Sequence, residues 1–193
     1  MICSWSIATN AVKNFTNPIG TSWIVGDVAM PTLLEDRQSI LVHGGGTRNL
    51  DNKVRDIATM LRKRNFEVFT DLEDDHHKFD YLEESWSKVG VVVCRLGAGT
   101  ATECVKWKIP MIVLRDTENS EAESNAEVLI RLGLAHEIAG RFENIKLVSL
   151  IEMMMSIENR KFFLAPFDRC GRNGIAEAVG FLESHWNLSR RNS

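Results

Sequence analysis

From Ser39 onward the chain alternates two kinds of hydrophobic pattern. Short continuous apolar runs, Ile40-Leu41-Val42-His43, Phe66-Glu67-Val68-Phe69, Val89 to Val93 and Met111-Ile112-Val113-Leu114, are bounded by turn residues. Such runs suit strands buried on both faces. Between them the apolar positions recur at helical spacing. Leu50, Val54, Ile57, Ala58 and Leu61 define one amphipathic face, and Ala122, Ala126, Leu129 and Ile130 define another that stops near Gly133. A short helix is predicted over Tyr81 to Ser87, another over 100–108, and two more at about 147–159 and 174–186. Strands alternating with helices predict an α/β fold with a doubly wound, Rossmann-like parallel sheet.

Residues 1–34 have a different texture. They are rich in Asn, Thr and Ser, with Pro18 and Pro31 as breakers and one short apolar piece, Trp23-Ile24-Val25-Gly26. They are expected to form a strand or two plus a linker, ahead of a domain over 35–188 and a tail over 189–193. The acidic stretch Asp71 to Asp75 reads as a loop, and Met153-Met154-Met155 as a helix packing into the core.

Composition narrows the function classes. The chain has 193 residues, 44% hydrophobic and 25% charged, with a net charge of −3. That balance is ordinary for a globular domain and recruits neither nucleic acid nor an anionic membrane in bulk. Cys3, Cys94, Cys104 and Cys170 form no CxxC pair and no zinc-like spacing. No signal peptide opens the sequence and no run approaches a membrane span, so a reducing, cytoplasmic setting is the default expectation. Asp74-Asp75-His76-His77 resembles a metal set but lacks a partner cluster, and no metal is expected.

In a sheet of this kind ligands bind at the carboxyl ends of the strands, beside helix N-termini. Two glycine loops fall there: Gly44-Gly45-Gly46-Thr47 after the first strand and Gly97-Ala98-Gly99-Thr100 after the third. Glycine lets backbone N–H groups approach a ligand closely, and a helix N-terminus adds unsatisfied donors and partial positive charge. Together they make two candidate cradles for one diphosphate. Neither loop is followed by GK[ST] and neither fits GxGxxG, which disfavours an ATPase or a standard dinucleotide enzyme. Either could also be a plain tight turn. Arg95 stands where it could offset diphosphate charge. His43, beside the first loop, reads as a core or hydrogen-bonded histidine.

The second loop and its surroundings resemble a known family. Val91-Val92-Val93-Cys94-Arg95-Leu96-Gly97-Ala98-Gly99-Thr100-Ala101-Thr102-Glu103, then Pro110-Met111-Ile112-Val113, then Asn125-Ala126, is similar to the donor domain of GT-B glycosyltransferases. The likeness is to the branch that adds N-acetylglucosamine to the lipid-linked peptidoglycan precursor and to related UDP-sugar transferases. It covers roughly residues 38–140. The resemblance implies that Gly45, Gly46 and Thr47 face the phosphates from the first loop. It implies that Gly97, Ala98, Gly99 and Thr100 do so from the second, and that Glu103 accepts hydrogen bonds from ribose hydroxyls. Glu121 falls where the family contacts the donor sugar, although this chain has Glu121-Ala122 in place of the family's Asp-Gln or Gln-Gln. Thr100 to Glu103, and Ser120 to Glu123, also read as capping boxes, a purely structural alternative for both acids.

The resemblance maps the chain onto the donor half alone. It implies a UDP-sugar as donor substrate, no resident cofactor, and an acceptor site and catalytic base on a separate domain or subunit, with a membrane-associated partner among the candidates. A split enzyme of this kind is known in the eukaryotic pair that adds the second N-acetylglucosamine to dolichol. A nucleotide-sugar hydrolase of the same fold and a non-catalytic nucleotide-sugar-binding module are the alternatives.

Overall fold

A computed structural model describes residues 36–46, 48–138, 143–170 and 174–191, together with two short strands, β1 (Ile2–Ser4) and β2 (Ile19–Thr21). These two strands pair in parallel, Ile2 opposite Ile19. The apolar Trp23–Gly26 piece and Thr47 lie outside the described residues.

The main sheet contains β3 (Ser39–His43), β4 (Glu67–Thr70), β5 (Val89–Cys94), β6 (Met111–Val113) and β7 (Ala135–His136). Its strand order is β4-β3-β5-β6-β7, and every neighbouring pair is parallel. The chain leaves β3 through α1 (Asp51–Arg62) to β4 on one side. It then returns through α2 (Glu83–Lys88) to β5 on the other side. The order therefore reverses between β3 and β5, the point where ligands settle in open α/β sheets. Helices α3 (Ala98–Trp107) and α4 (Ser120–Arg131) follow β5 and β6. After β7 come α5 (Glu143–Met155), α6 (Ile157–Asp168) and α7 (Gly174–Arg191).

Both faces of the sheet are covered, as the continuous apolar runs required. Leu41, Val92 and Cys94 pack with Ala101, Cys104 and Val105 of α3 and Ala126 and Leu129 of α4. Ile40, Val42, Val91 and Val93 point the other way, onto Val54, Ile57 and Leu61 of α1 and Leu147, Ile151 and Met154 of α5. Every residue of β3 and β5 is buried. Cys94 and Cys104 are free thiols inside this core, where burial raises both thiols far above the usual range. The expected doubly wound α/β sheet is the fold.

The predicted helix at 147–159 is two helices. Ser156 takes an extended conformation (φ −64°, ψ 126°), closing α5 and heading α6. Of the methionine triplet, Met154 is fully buried and Met153 is exposed. Two buried arginines tie the amino end of the sheet to the C-terminal ends of α3 and α5. Arg37 donates from Nη1 to the carbonyl of Trp107 at 2.6 Å, at the C-terminal end of α3. Arg160 donates from Nη2 to the carbonyl of Arg37 at 2.7 Å and from Nε to that of Met154 at 3.2 Å. Cations at helix C-termini complement the backbone dipole.

Candidate functional site

Because β3 and β5 pair up to His43 opposite Cys94, the two glycine loops leave the sheet side by side. The N–H of Arg95 continues the pairing to the carbonyl of His43 at 3.1 Å. The first loop turns on Gly45 (φ 75°) and Gly46 (φ 71°), a left-handed conformation that other residues adopt only with strain. A Cβ at Gly45 would also lie 2.6 Å from Nε of Arg95, so the guanidinium would have to shift.

The donors of this loop are already engaged. The N–H of Gly45 bonds Nδ1 of His43 at 2.7 Å. Those of Gly44 and Gly46 bond the carboxylate of Asp71, at 3.0 Å and 3.3 Å. Since Nδ1 accepts, the imidazole proton sits on Nε2 and the ring is neutral. Burial holds the His43 pKa below its ordinary value, with the guanidinium of Arg95 acting the same way and Asp71, at 3.6 Å, opposing. Gly45 and Gly46, expected to face a phosphate, thus face protein acceptors in this structure.

Arg95 is a junction between loops. Its Nη2 donates to the carbonyl of Gly45 at 3.0 Å, and its Nη1 lies 3.4 Å from Oδ2 of the buried Asp116, beyond β6. Asn49 donates to the other oxygen of Asp116 at 3.3 Å, and the N–H of Asp116 bonds Glu123 at 3.1 Å. Three loops from three adjacent strands are therefore held in one network, centred on the Asp116 carboxylate, which no sequence motif marks.

The second loop is arranged differently. Gly97 is the N-cap of α3 (φ −72°, ψ 156°), with no side-chain cap, and its carbonyl accepts the N–H of Ala101 at 3.0 Å. The N–H groups of Ala98, Gly99 and Thr100 head the helix without intrahelical acceptors. Ala98 and Gly99 are exposed, and among the described residues nothing stands within 4 Å of where a Cβ on Gly97 or Gly99 would lie. Asn125 of α4 steadies this loop from below, donating from Nδ2 to the carbonyl of Leu96 at 2.9 Å.

The helix start corrects one capping box. With Gly97 at the N-cap, Thr100 is the third helical residue and Glu103 the sixth, so Glu103 is not a capping partner. It is half-buried on the second turn of α3, and no hydrogen bond or ion pair engages it among the described residues. The second box fails likewise. Asn119 is the N-cap of α4, accepting the N–H of Ala122 at 2.9 Å, while Glu123 turns to Asp116 and to Nη1 of Arg115 at 2.7 Å. Glu121 is exposed in the first turn, where an acid suits the helix dipole.

A cavity of about 710 Å³ opens beside the first loop, lined by His43, Gly45, Gly46, Asp71, Glu73, Lys78, Phe79, Asp80 and Tyr81. Tyr81 holds a left-handed backbone (φ 61°) and sets its ring edge-on to His43, with centroids 5.9 Å apart. Burial and then the carboxylates of Asp71 and Glu73 push its hydroxyl up to about 12, so it stays a neutral donor. A cleft of about 420 Å³ between α1 and α5 is lined by no residue of either glycine loop. Of the metal-like run, Asp75 bonds Arg62 and Thr70, both at 2.8 Å, and Asp74 bonds Arg55 at 3.1 Å. Among the described residues no group of three or more His, Cys, Asp or Glu could hold a metal ion.

No family model and no curated protein matches the chain. Solved structures do. The MurG protein of Acinetobacter baumannii matches with a TM-score of 0.63 at 15% identity, over 89% of this chain and 58% of that one. CalG4, the calicheamicin glycosyltransferase, matches with a TM-score of 0.63 at 15% identity, over 96% of this chain and 52% of that one. SsfS6, a glycosyltransferase of Streptomyces sp. SF2575 solved with thymidine diphosphate, gives 0.53 at 17% identity, over 90% and 50%. The fold is that of a GT-B glycosyltransferase, in its C-terminal-like half. The chain spans about half the length of these three structures, 58%, 52% and 50%. The reversal between β3 and β5 places both glycine loops on one edge of this sheet. No described helix is long and apolar enough to cross a membrane.

Proposed function

We infer that the chain binds the nucleoside diphosphate of a sugar donor at the carboxyl edge of its sheet. It serves as the donor half of a glycosyltransferase whose acceptor site lies on another domain or subunit. The observation that carries this reading is the open N-terminus of α3. A helix dipole and unsatisfied amides point into a clearing that Gly97 and Gly99 leave free, at the strand-order reversal of a GT-B fold. An anionic diphosphate suits that place. The presence of thymidine diphosphate in one structural neighbour supports the same ligand class. Ala98 and Thr100 border the diphosphate in this reading, and Glu103, freed from a capping role, accepts from the ribose hydroxyls. Glu121 reaches the sugar from α4. Arg95 acts by holding the loops, with its charge shared between Asp116 and the ligand. Thr47 is assigned to the phosphates on the resemblance alone. Uracil is the base chosen first, on the resemblance to UDP-sugar transferases.

Calorimetric titration with UDP, UDP-N-acetylglucosamine and thymidine diphosphate tests this directly. Binding of at least one is expected, and absence of heat with all three would overturn the reading. Glu103→Ala is expected to weaken UDP by about 1–3 kcal/mol, the worth of a charge-assisted hydrogen bond, without lowering the melting temperature. Loss of stability with unchanged affinity would return Glu103 to a structural role.

A further inference from the structure

The first glycine loop already holds an anion, and the protein supplies it. Asp71, the residue after β4, accepts the N–H of Gly44 on both carboxylate oxygens, at 3.0 and 3.1 Å, and the N–H of Gly46 at 3.3 Å. Amides from a glycine turn converging on one charged group form the arrangement by which such loops grip phosphate. The Asp71 side chain is only 9% exposed, yet it lines the cavity with Gly45 and Gly46. It is therefore positioned both to satisfy the loop and to meet whatever enters. Its cationic surroundings are thin. Neutral His43 stands 3.6 Å away, and the guanidinium of Arg95 is turned to Asp116 and to the carbonyl of Gly45.

We propose that Asp71 is an intramolecular competitor for phosphate at the first glycine loop, setting how strongly this site accepts an anionic ligand. A diphosphate must displace the carboxylate to reach the amides of Gly44 and Gly46, and it meets like charge if the carboxylate stays. An uncharged, hydroxyl-bearing group meets no such opposition, since the same carboxylate can accept from it. This rests on the donor-site reading above, and it assigns the loop a selectivity that the reading alone does not contain.

The test compares the whole chain with Asp71→Asn, which keeps one acceptor oxygen for the loop amides, removes the charge and turns the second oxygen into an amide donor. Each protein is titrated with UDP, inorganic pyrophosphate and uridine. The variant is expected to bind UDP and pyrophosphate roughly tenfold more tightly, the order of effect for removing one nearby like charge, with uridine unchanged. Equal UDP affinity in the two proteins would overturn the proposal while leaving the donor-site reading intact. A gain for uridine as large as that for UDP would overturn it too, by showing an effect of shape rather than charge. Failure of both proteins to bind any of the three would sink the reading and the proposal together. Should the variant not fold, amide resonances of Gly44 and Gly46 in the native chain provide the second measurement. They are expected to move on adding pyrophosphate, and unmoved resonances while pyrophosphate binds elsewhere would overturn the competition.

Discussion

At the carboxyl end of β3 the imidazole of His43 must stay neutral for the first glycine loop to keep its shape. Its Nδ1 accepts the N–H of Gly45 at 2.7 Å, and a proton on that nitrogen would set two donors against each other. Burial, the first cause, and Arg95 depress its pKa below the ordinary 6.5, against the pull of Asp71. The unfolded chain therefore takes up a proton at higher pH than the folded one. Stability from this group is fully present above pH 6.5 and is lost as pH falls through the lower, folded value. His43→Asn keeps an acceptor for Gly45 without titrating. Its melting temperature is expected to fall less between pH 7 and pH 5 than that of the native chain, and parallel pH curves would remove His43 from this role. His43 itself could be read from sequence as a hydrogen-bonded histidine, because it sits next to the glycines it serves. Asp71 could not. Its partners Gly44 and Gly46 are 27 and 25 residues away, and only the parallel pairing of β3 with β4 brings them together.

At the scale of elements, legibility followed burial. The apolar runs at 40–43 and 89–93 predicted β3 and β5 because both strands are covered on both faces, leaving no polar position to obscure them. Helix starts were harder, since a cap is chosen by one backbone conformation. Gly97 and Asn119 took the extended N-cap geometry ahead of Thr100 and Ser120, which shifted the roles of both downstream glutamates. The break at Ser156 was hidden because apolar residues continue across it, from Met153–Met155 into Ile157 and Phe162. The juncture it creates depends on Gly90. A Cβ there would lie 2.6 Å from the carbonyl of Arg37 and 2.7 Å from both Nη2 of Arg160 and Sδ of Met155. Gly90→Ala should push apart the backbone between β3 and β5 and displace the arginine that ties α5 and α6 to the sheet. A loss of about 1–3 kcal/mol is expected, typical of overpacking a full interior, read as a lower urea midpoint at unchanged slope. An unchanged midpoint would mean that the juncture yields freely and does not hold those helices.

Across the whole molecule, the candidate site is made by the sheet rather than by any one loop. Arg95 joins the loops after β3, β5 and β6, and Asn125 carries the same edge into α4. A ligand gripped there is held by elements from residue 43 to residue 125, and opening the site therefore means disrupting the central strands. Binding should then stabilise the fold as a unit. For a ligand that binds only the folded state, a concentration one hundred times its Kd adds about 2.7 kcal/mol. In a chain of this size each kcal/mol moves the melting temperature by about 2–4 °C. UDP at that excess is thus expected to raise Tm by about 5–11 °C, and uridine at the same concentration by less, since it lacks the phosphates proposed to meet the α3 N-terminus. This must hold in the isolated chain, although the chain spans about half the length of its structural neighbours, because every residue assigned to the diphosphate lies on this half. If Tm rises only when a second domain or subunit is added, the donor site is shared between the halves, and the open N-terminus of α3 is not sufficient to hold the nucleotide.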